Sequence, residues 1–182
     1  MRATAELDGK RMASPSLQSG DPFPDLELLD HAGNARRLSE LAAGDPTILH
    51  FYRGWWCPKE QRYFRRLREL QEEAEVAYVR IVSVSVDAPE VAAAYRAGLG
   101  ARWTFLCDPD RRALTQLGLR ETTDTTNNPY VPRVYTLSPE ALRIHAVYDG
   151  YWYTSRATLE ELRQDLRAIQ RELRADREAP TA

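Results

Sequence analysis

Lysine is nearly absent. Of 25 basic residues only Lys10 and Lys59 are lysines, and the rest are arginines. Such a bias reads as genome composition, or as anion binding where an arginine is placed at a site. Cysteine is scarce, with Cys57 and Cys107 alone, which excludes a disulfide scaffold. Histidine is limited to His31, His50 and His145. No pair of Cys or His stands at ligand spacing, so no metal site is expected. Long apolar runs are missing, which excludes a transmembrane helix. Met1 to Ser19 holds no apolar core segment, so no secretory signal is expected. Two thiols without a signal suggest a reducing cytoplasm. No charge of one sign dominates, since the formal net charge is −2. That argues against nucleic acid and against a membrane surface as partners.

What is present fits one soluble globular domain. The chain has 182 residues, 43% of them apolar and 29% charged. Residues 1–19 and 176–182 are polar and read as flexible tails. Between them, 20–175 alternates strand and helix. Leu26, Leu28 and Leu29 suggest a short edge strand, and 31–34 a turn. Ile48 to Tyr52 reads as a buried strand. A helix starts near Cys57 with Pro58 at its first position, and Tyr63, Phe64, Leu67, Leu70 and Ala74 form its buried face. Val79 to Val86 alternates as a strand, with Val82, Val84 and Val86 on one face. Asp87 to Glu90 reads as a capping box opening a helix to about Gly98. Thr104 to Cys107 is the next strand, and Asp108-Pro109 opens a helix that Gly118 closes. Glu121 to Pro129 is a polar loop. Arg133–Leu137 and Arg143–Tyr148 form a hairpin about Ser138-Pro139. A second capping box, Thr158 to Glu161, opens a long helix with Leu159, Leu162, Leu166, Ile169 and Leu173 inward. The class is α/β: a mainly parallel central sheet, a terminal antiparallel hairpin and helices on both faces.

In such sheets ligands gather at the carboxyl ends of the strands. Cys57 lies just past one such end and at a helix start. There, unpaired N–H groups and the positive dipole end favour a thiolate, and Arg53 could add charge. Cys57 reads equally as a small buried hydrophobe. Cys107 has no such surroundings and reads as structural. So do His50 and His145, both within strands. Trp55, Trp56 and 151–153 (Tyr-Trp-Tyr) read as rim packing, or as an apolar mouth.

Cys57-Pro58-Lys59-Glu60, after Phe51-Tyr52-Arg53-Gly54-Trp55-Trp56, resembles the active-site segment of the peroxiredoxins. More narrowly it is similar to the peroxiredoxin-like branch of the alkyl hydroperoxide reductase / thiol-specific antioxidant group. Gly20 to Asp25, Val82 to Asp87 and Phe105 to Pro109 extend the likeness over about residues 20–175. The resemblance implies a thioredoxin-like fold, with Cys57 as the thiol that peroxide oxidises and Pro58 and Glu60 as its neighbours. It implies no cofactor. It implies a peroxide substrate and an external thiol reductant such as a thioredoxin-like protein. A homodimer is compatible with it. In the family's sheet order, the strand ending at Val86 separates the ends carrying Cys57 and Cys107, so no resting disulfide is expected between them.

The family pattern is not complete. It places Thr or Ser, whose hydroxyl orients the peroxide, where this chain has Gly54. It places proline where this chain has His50. Its later-strand arginine falls on Arg133, or one residue away on Pro132, a position that also resembles the cis-proline of thioredoxins packed beside the thiol. Catalytic roles are therefore expected of Cys57 and Arg133. Substrate contacts are expected of Arg53, Gly54, Trp56, Glu60 and Pro132. Glu60 stands where a C-x-x-C exchanger has its second cysteine. It reads as a first-turn charge complementing the helix dipole, or as a hydrogen-bonding group of the site. The function implied is a thiol peroxidase acting on hydrogen peroxide or organic hydroperoxides. A sensor or binding protein that oxidises without turnover is the main alternative. A thiol transferase acting on another protein is a third.

Overall fold

Seven strands lie side by side in the computed structural model, which describes residues 17–150 and 156–178. In chain order they are β1 (Glu27–Asp30), β2 (Ala35–Arg37), β3 (Thr47–Phe51), β4 (Arg80–Ser85), β5 (Thr104–Cys107), β6 (Arg133–Leu137) and β7 (Ile144–Asp149). The helices are α1 (Leu38–Ala42), α2 (Pro58–Val76), α3 (Pro89–Leu99), α4 (Arg112–Leu117) and α5 (Leu159–Glu178). The order across the sheet is β2-β1-β5-β4-β3-β6-β7.

The centre is parallel, β3 with β4 and β4 with β5. These are the pairs joined by a crossover helix, α2 or α3, as right-handed βαβ connection requires. The margins are antiparallel: β2 to β1, β1 to β5, β3 to β6 and β6 to β7. The antiparallel share thus exceeds the expected terminal hairpin. No helix crosses from β5 to β1 or from β3 to β6, so nothing enforces the parallel sense there.

Strand alternation builds two cores. Leu49, Phe51, Val82, Val84 and Leu106 face one side, under α1 and α4. Ile48, Tyr52, Ile81 and Phe105 face the other, under α2, α3 and α5. Helices therefore cover both faces. The α2 stripe falls as its spacing predicts, with Tyr63, Phe64, Leu67, Leu70 and Ala74 buried. Each fully buried large side chain of this kind contributes about 1.5–3 kcal/mol. Thr158 and Glu161 form their expected box, Glu161 accepting from the Thr158 N–H at 2.7 Å. Buried Asp108 accepts from the backbone N–H groups of Arg112 and Leu114, both at 2.9 Å, and from the Tyr130 hydroxyl at 2.6 Å. It caps α4 while tying in the approach to β6.

Several sequence expectations are corrected. β1 is not an edge: the short, arginine-bearing β2 covers it. Asp87 does not cap α3, whose N-cap is Ala88. Its carboxylate instead accepts from Trp55 N and Ser85 Oγ, at 3.1 and 3.0 Å. The Pro132 bond is trans, because no cis peptide bond occurs among the described residues. Leu17 packs on the first core, Ser19 Oγ donates to His145 O at 2.7 Å, and α5 continues to Glu178. The aromatic run 151–153 lies outside the described residues.

Candidate active site

β3 is buried along its whole length and delivers the chain to the end of the sheet. Tyr52 N still pairs with Val84 O at 3.0 Å, and then the chain leaves the sheet. Arg53 to Trp56 form a tight loop, closed by Cys57 N donating to Gly54 O at 3.2 Å. Trp55 N is anchored on Asp87, and Trp55 O accepts from Gln61 Nε2 at 3.0 Å. Cys57 is the N-cap of α2, Pro58 follows at the first helical position, and Cys57 O accepts the first helical bond from Gln61 N at 3.1 Å. The Cys57 side chain makes no cap bond and is 2% exposed.

Gly54 adopts φ +150°, a conformation side chains rarely take. A Cβ there would lie 2.6 Å from Trp56 Nε1 and 3.2 Å from Asp87 Oδ1. This explains the missing Thr or Ser: backbone and indole together exclude one. Gly54→Thr is expected to lower unfolding stability by about 1–3 kcal/mol, the usual scale of such backbone strain. Denaturant unfolding measures it, and an unchanged midpoint would mean the loop re-forms freely.

Glu60 is the group whose setting differs most from a surface dipole charge. It is fully buried one turn from the thiol. Arg156 grips it with two bonds, Nε to Oε2 at 3.1 Å and Nη2 to Oε1. Arg53 N points at Oε1 from 3.5 Å, and His50 Nε2 lies 3.6 Å from Oε2. Burial pushes the Glu60 carboxyl up, but His50 and Arg156 outweigh it and hold it below the usual range. Burial pushes the His50 imidazole down, which Glu60 only partly offsets. Glu60 is thus held ionised by His50 and Arg156 together. Neither ring nitrogen of His50 has a hydrogen-bond partner among the described residues. The ring packs against Tyr63 and Phe64, each with centroids 5.0 Å away.

Arg53 is held elsewhere than expected. Its Nη2 pairs with Asp124 at 2.9 Å and Glu121 at 3.2 Å, and its guanidinium lies 4.9 Å over the Trp56 ring. The acidic loop is itself pinned: Arg111 donates to the carbonyls of Asn127 and Asn128, at 2.9 and 3.2 Å. Arg133 is likewise engaged. It lies 2.5 Å from Asp149 Oδ1, and its Nη1 reaches Tyr135 Oη at 3.5 Å. Pro132 O accepts from Gly150 N at 2.7 Å. Asp87, behind the loop, has its carboxyl pushed up by burial. Cys107 is buried at the end of β5, paired with Ser85 of β4, and burial pushes its thiol up to about 12.

Sequence reasoning missed Arg156, Asp87 and the Glu121–Asp124 pair as parts of this site. Arg156 lies 96 positions from Glu60, and no local spacing marks it.

A family model described as the AhpC/TSA family matches residues 19–148. The chain belongs to the AhpC/TSA family. Two Mycobacterium tuberculosis proteins named as peroxiredoxins are similar to it. Rv1608c is 33% identical over 107 residues, 57% of this chain and 68% of that one. Rv2521 is 31% identical over 102 residues, 56% of this chain and 64% of that one. Among solved structures, the peroxidoxin BcpB of M. tuberculosis superposes with a TM-score of 0.72 at 20% identity, covering 85% of this chain and 97% of the other. Reduced Prx3 of Vibrio vulnificus, crystallised with hydrogen peroxide, gives 0.73 at 19%, covering 86% and 98%. The AhpC/TSA chain described here thus has the thioredoxin fold of the peroxiredoxins, and its activity class is thiol peroxidase, an oxidoreductase. The match does not favour the alternative of a sensor that oxidises without turnover.

Proposed function

We propose that Cys57 is the thiol that reduces peroxide and that its cycle uses this cysteine alone. The thiolate sulfur bonds to one peroxide oxygen and the O–O bond breaks. The other oxygen takes a proton and leaves as water or an alcohol, and Cys57 becomes a sulfenic acid. An external thiol, such as that of a thioredoxin-like protein, then forms a mixed disulfide and expels water. A second thiol releases reduced Cys57. The observation that carries this reading is the position of Cys57: the N-cap of α2, at the carboxyl end of a central parallel strand, beside the Glu60–Arg156 pair.

The other residues take supporting parts. Trp56 Nε1 stands where a residue-54 side chain would begin, so its N–H takes the orienting place of the family's hydroxyl. Glu60 and Arg156 fix the first turn of α2. Arg53 and Pro132 line a cleft of about 300 Å³ together with Lys59 and Arg156. Arg133 acts as a positioning cation, since Asp149 and Tyr135 take its guanidinium. Two unpaired thiols suit a reducing compartment such as the cytoplasm, and among the described residues no helix is long and apolar enough to cross a membrane.

β4 lies between the strands that lead to Cys57 and Cys107. Two strand spacings separate those ends by roughly 10 Å, beyond the roughly 7 Å a disulfide tolerates. Mass spectrometry after one equivalent of peroxide, without added thiol, is expected to find sulfenic acid on Cys57. A Cys57–Cys107 linked peptide as main product would overturn the one-cysteine cycle.

A further inference from the structure

The second half of the cycle carries a geometric demand of its own. When a protein thiol forms a mixed disulfide with Cys57, the two Cα atoms come within about 7 Å. Two residues of chain span at most about 7 Å, so Trp55 and Pro58 fall inside the footprint of any protein that reduces Cys57. Both are exposed, Trp55 at 49%. Of the four large apolar side chains exposed among the described residues, Trp55 alone stands in the loop that presents the thiol. Its backbone is held on both sides, the N–H by Asp87 at 3.1 Å and the carbonyl by Gln61 at 3.0 Å, so the exposure is built in. Cys57 itself is 2% exposed, so reaching its sulfur draws on a partner's binding energy. Tryptophan is enriched among the few residues that carry most of an interface's binding energy.

The surface running on from these residues is basic. Pro58, Arg62, Arg65 and Glu69 share one exposed stripe of α2 at helical spacing, with exposed Arg66 beside it. None of these three arginines forms an ion pair among the described residues. Arg62 and Arg66, four apart on the helix, repel one another. Farther along α2, Glu73 pairs with Arg163 at 2.7 Å and Glu75 with Arg102 at 2.6 Å. The cations nearer the thiol are left open, on a chain whose formal net charge is −2.

We propose that Trp55 and the Arg62–Arg65 stripe form the docking surface for the protein that reduces Cys57, a thiol protein whose reactive sulfur is set in apolar surface with acidic residues at its rim. The assignment rests on the thiol-peroxidase reading above. Trp55 seats against the apolar surface, and the arginines steer and align the acidic rim. The partner's sulfur bonds to the Cys57 sulfur, and the sulfenic hydroxyl takes a proton and leaves as water. The partner's second thiol then breaks the mixed disulfide, so Cys57 is reduced and the partner departs as a disulfide.

Turnover of hydrogen peroxide by the full chain is measured with two reductants: a thioredoxin of net negative charge, kept reduced by its reductase, and dithiothreitol. Trp55→Ala and Arg62→Glu/Arg65→Glu are each expected to lower kcat/KM for the thioredoxin about tenfold, which is about 1.4 kcal/mol. The arginine variant should leave the dithiothreitol-supported rate unchanged, and a thioredoxin of net positive charge should gain from it. Unchanged kinetics with the negative thioredoxin in both variants would overturn the docking surface alone. So would equal slowing with thioredoxin and dithiothreitol, the mark of a merely structural role. Analytical ultracentrifugation finding a dimer that Trp55→Ala dissociates would also overturn it, by giving this face to a second copy of the chain. No oxidation of Cys57 by peroxide would overturn both the docking surface and the peroxidase reading.

Discussion

Cys57→Ser is expected to abolish thiol-dependent peroxide consumption, while Cys107→Ser leaves single-turnover oxidation by peroxide largely intact. A serine hydroxyl at the α2 N-cap keeps the size of the side chain but has no easily ionised group, and the hydroxyl is not a reductant. The contrast with Cys107 follows from position: Cys57 opens α2 past the end of β3, whereas Cys107 ends β5. With that thiol pushed up to about 12, its thiolate is about one part in 10⁵ at neutral pH. It is also buried at the end of β5 and packed with the second core. Cys107→Ser places a hydroxyl in that core and is expected to cost about 1–3 kcal/mol of stability if the group finds no partner. Rates must therefore be referred to folded protein, measured by circular dichroism on the same samples. Equal loss of oxidation in both variants would make Cys107 part of the reaction.

Arg156→Ala is expected to destabilise the fold by about 3–5 kcal/mol, the usual cost of stranding a buried charge. That is a large part of the roughly 5–15 kcal/mol that holds a domain together. Urea unfolding at neutral pH measures it. The double variant Glu60→Gln/Arg156→Gln should recover much of the loss, since it strands no charge. A loss below about 1 kcal/mol for Arg156→Ala would show the pair to be solvated as a surface ion pair is.

The same cluster sets an acid limit. His50 is held below its ordinary value of 6.5, so the unfolded chain takes up a proton there that the native state refuses. Stability therefore falls as pH drops through that value, and His50→Phe should flatten that part of the profile. Glu60 is held below its ordinary 4.5, so its contribution is present above that value and is lost as pH falls through the lower native one. Arg156→Ala should weaken this second arm, since His50 still acts on the carboxyl.

What the sequence revealed was periodic or adjacent. The α2 stripe, the proline after Cys57 and the Val82–Val84 alternation are each written within a few residues, and the strands and helices they specify stand where expected. The resemblance around Cys57 rests on the same kind of adjacent residues. The failures are long-range. Glu60 looks like any first-turn acid until Arg156 arrives from the other end of the chain. Asp87 looks like a helix cap until the Trp55 amide claims its carboxylate. Gly54 looks like a lost hydroxyl until the Trp56 indole fills the space. β1 looks like an edge because only pairing, not spacing, brings β2 beside it.

The Glu60–Arg156 contact also orders events during synthesis. A ribosome that has released α2 but not yet residue 156 leaves the acid of that helix without its cation. The first turn of α2 cannot then settle into its dry setting, and the thiol before it lacks its finished surroundings. A product truncated before residue 156 therefore carries Glu60 one turn from Cys57 without the cation that pairs with it.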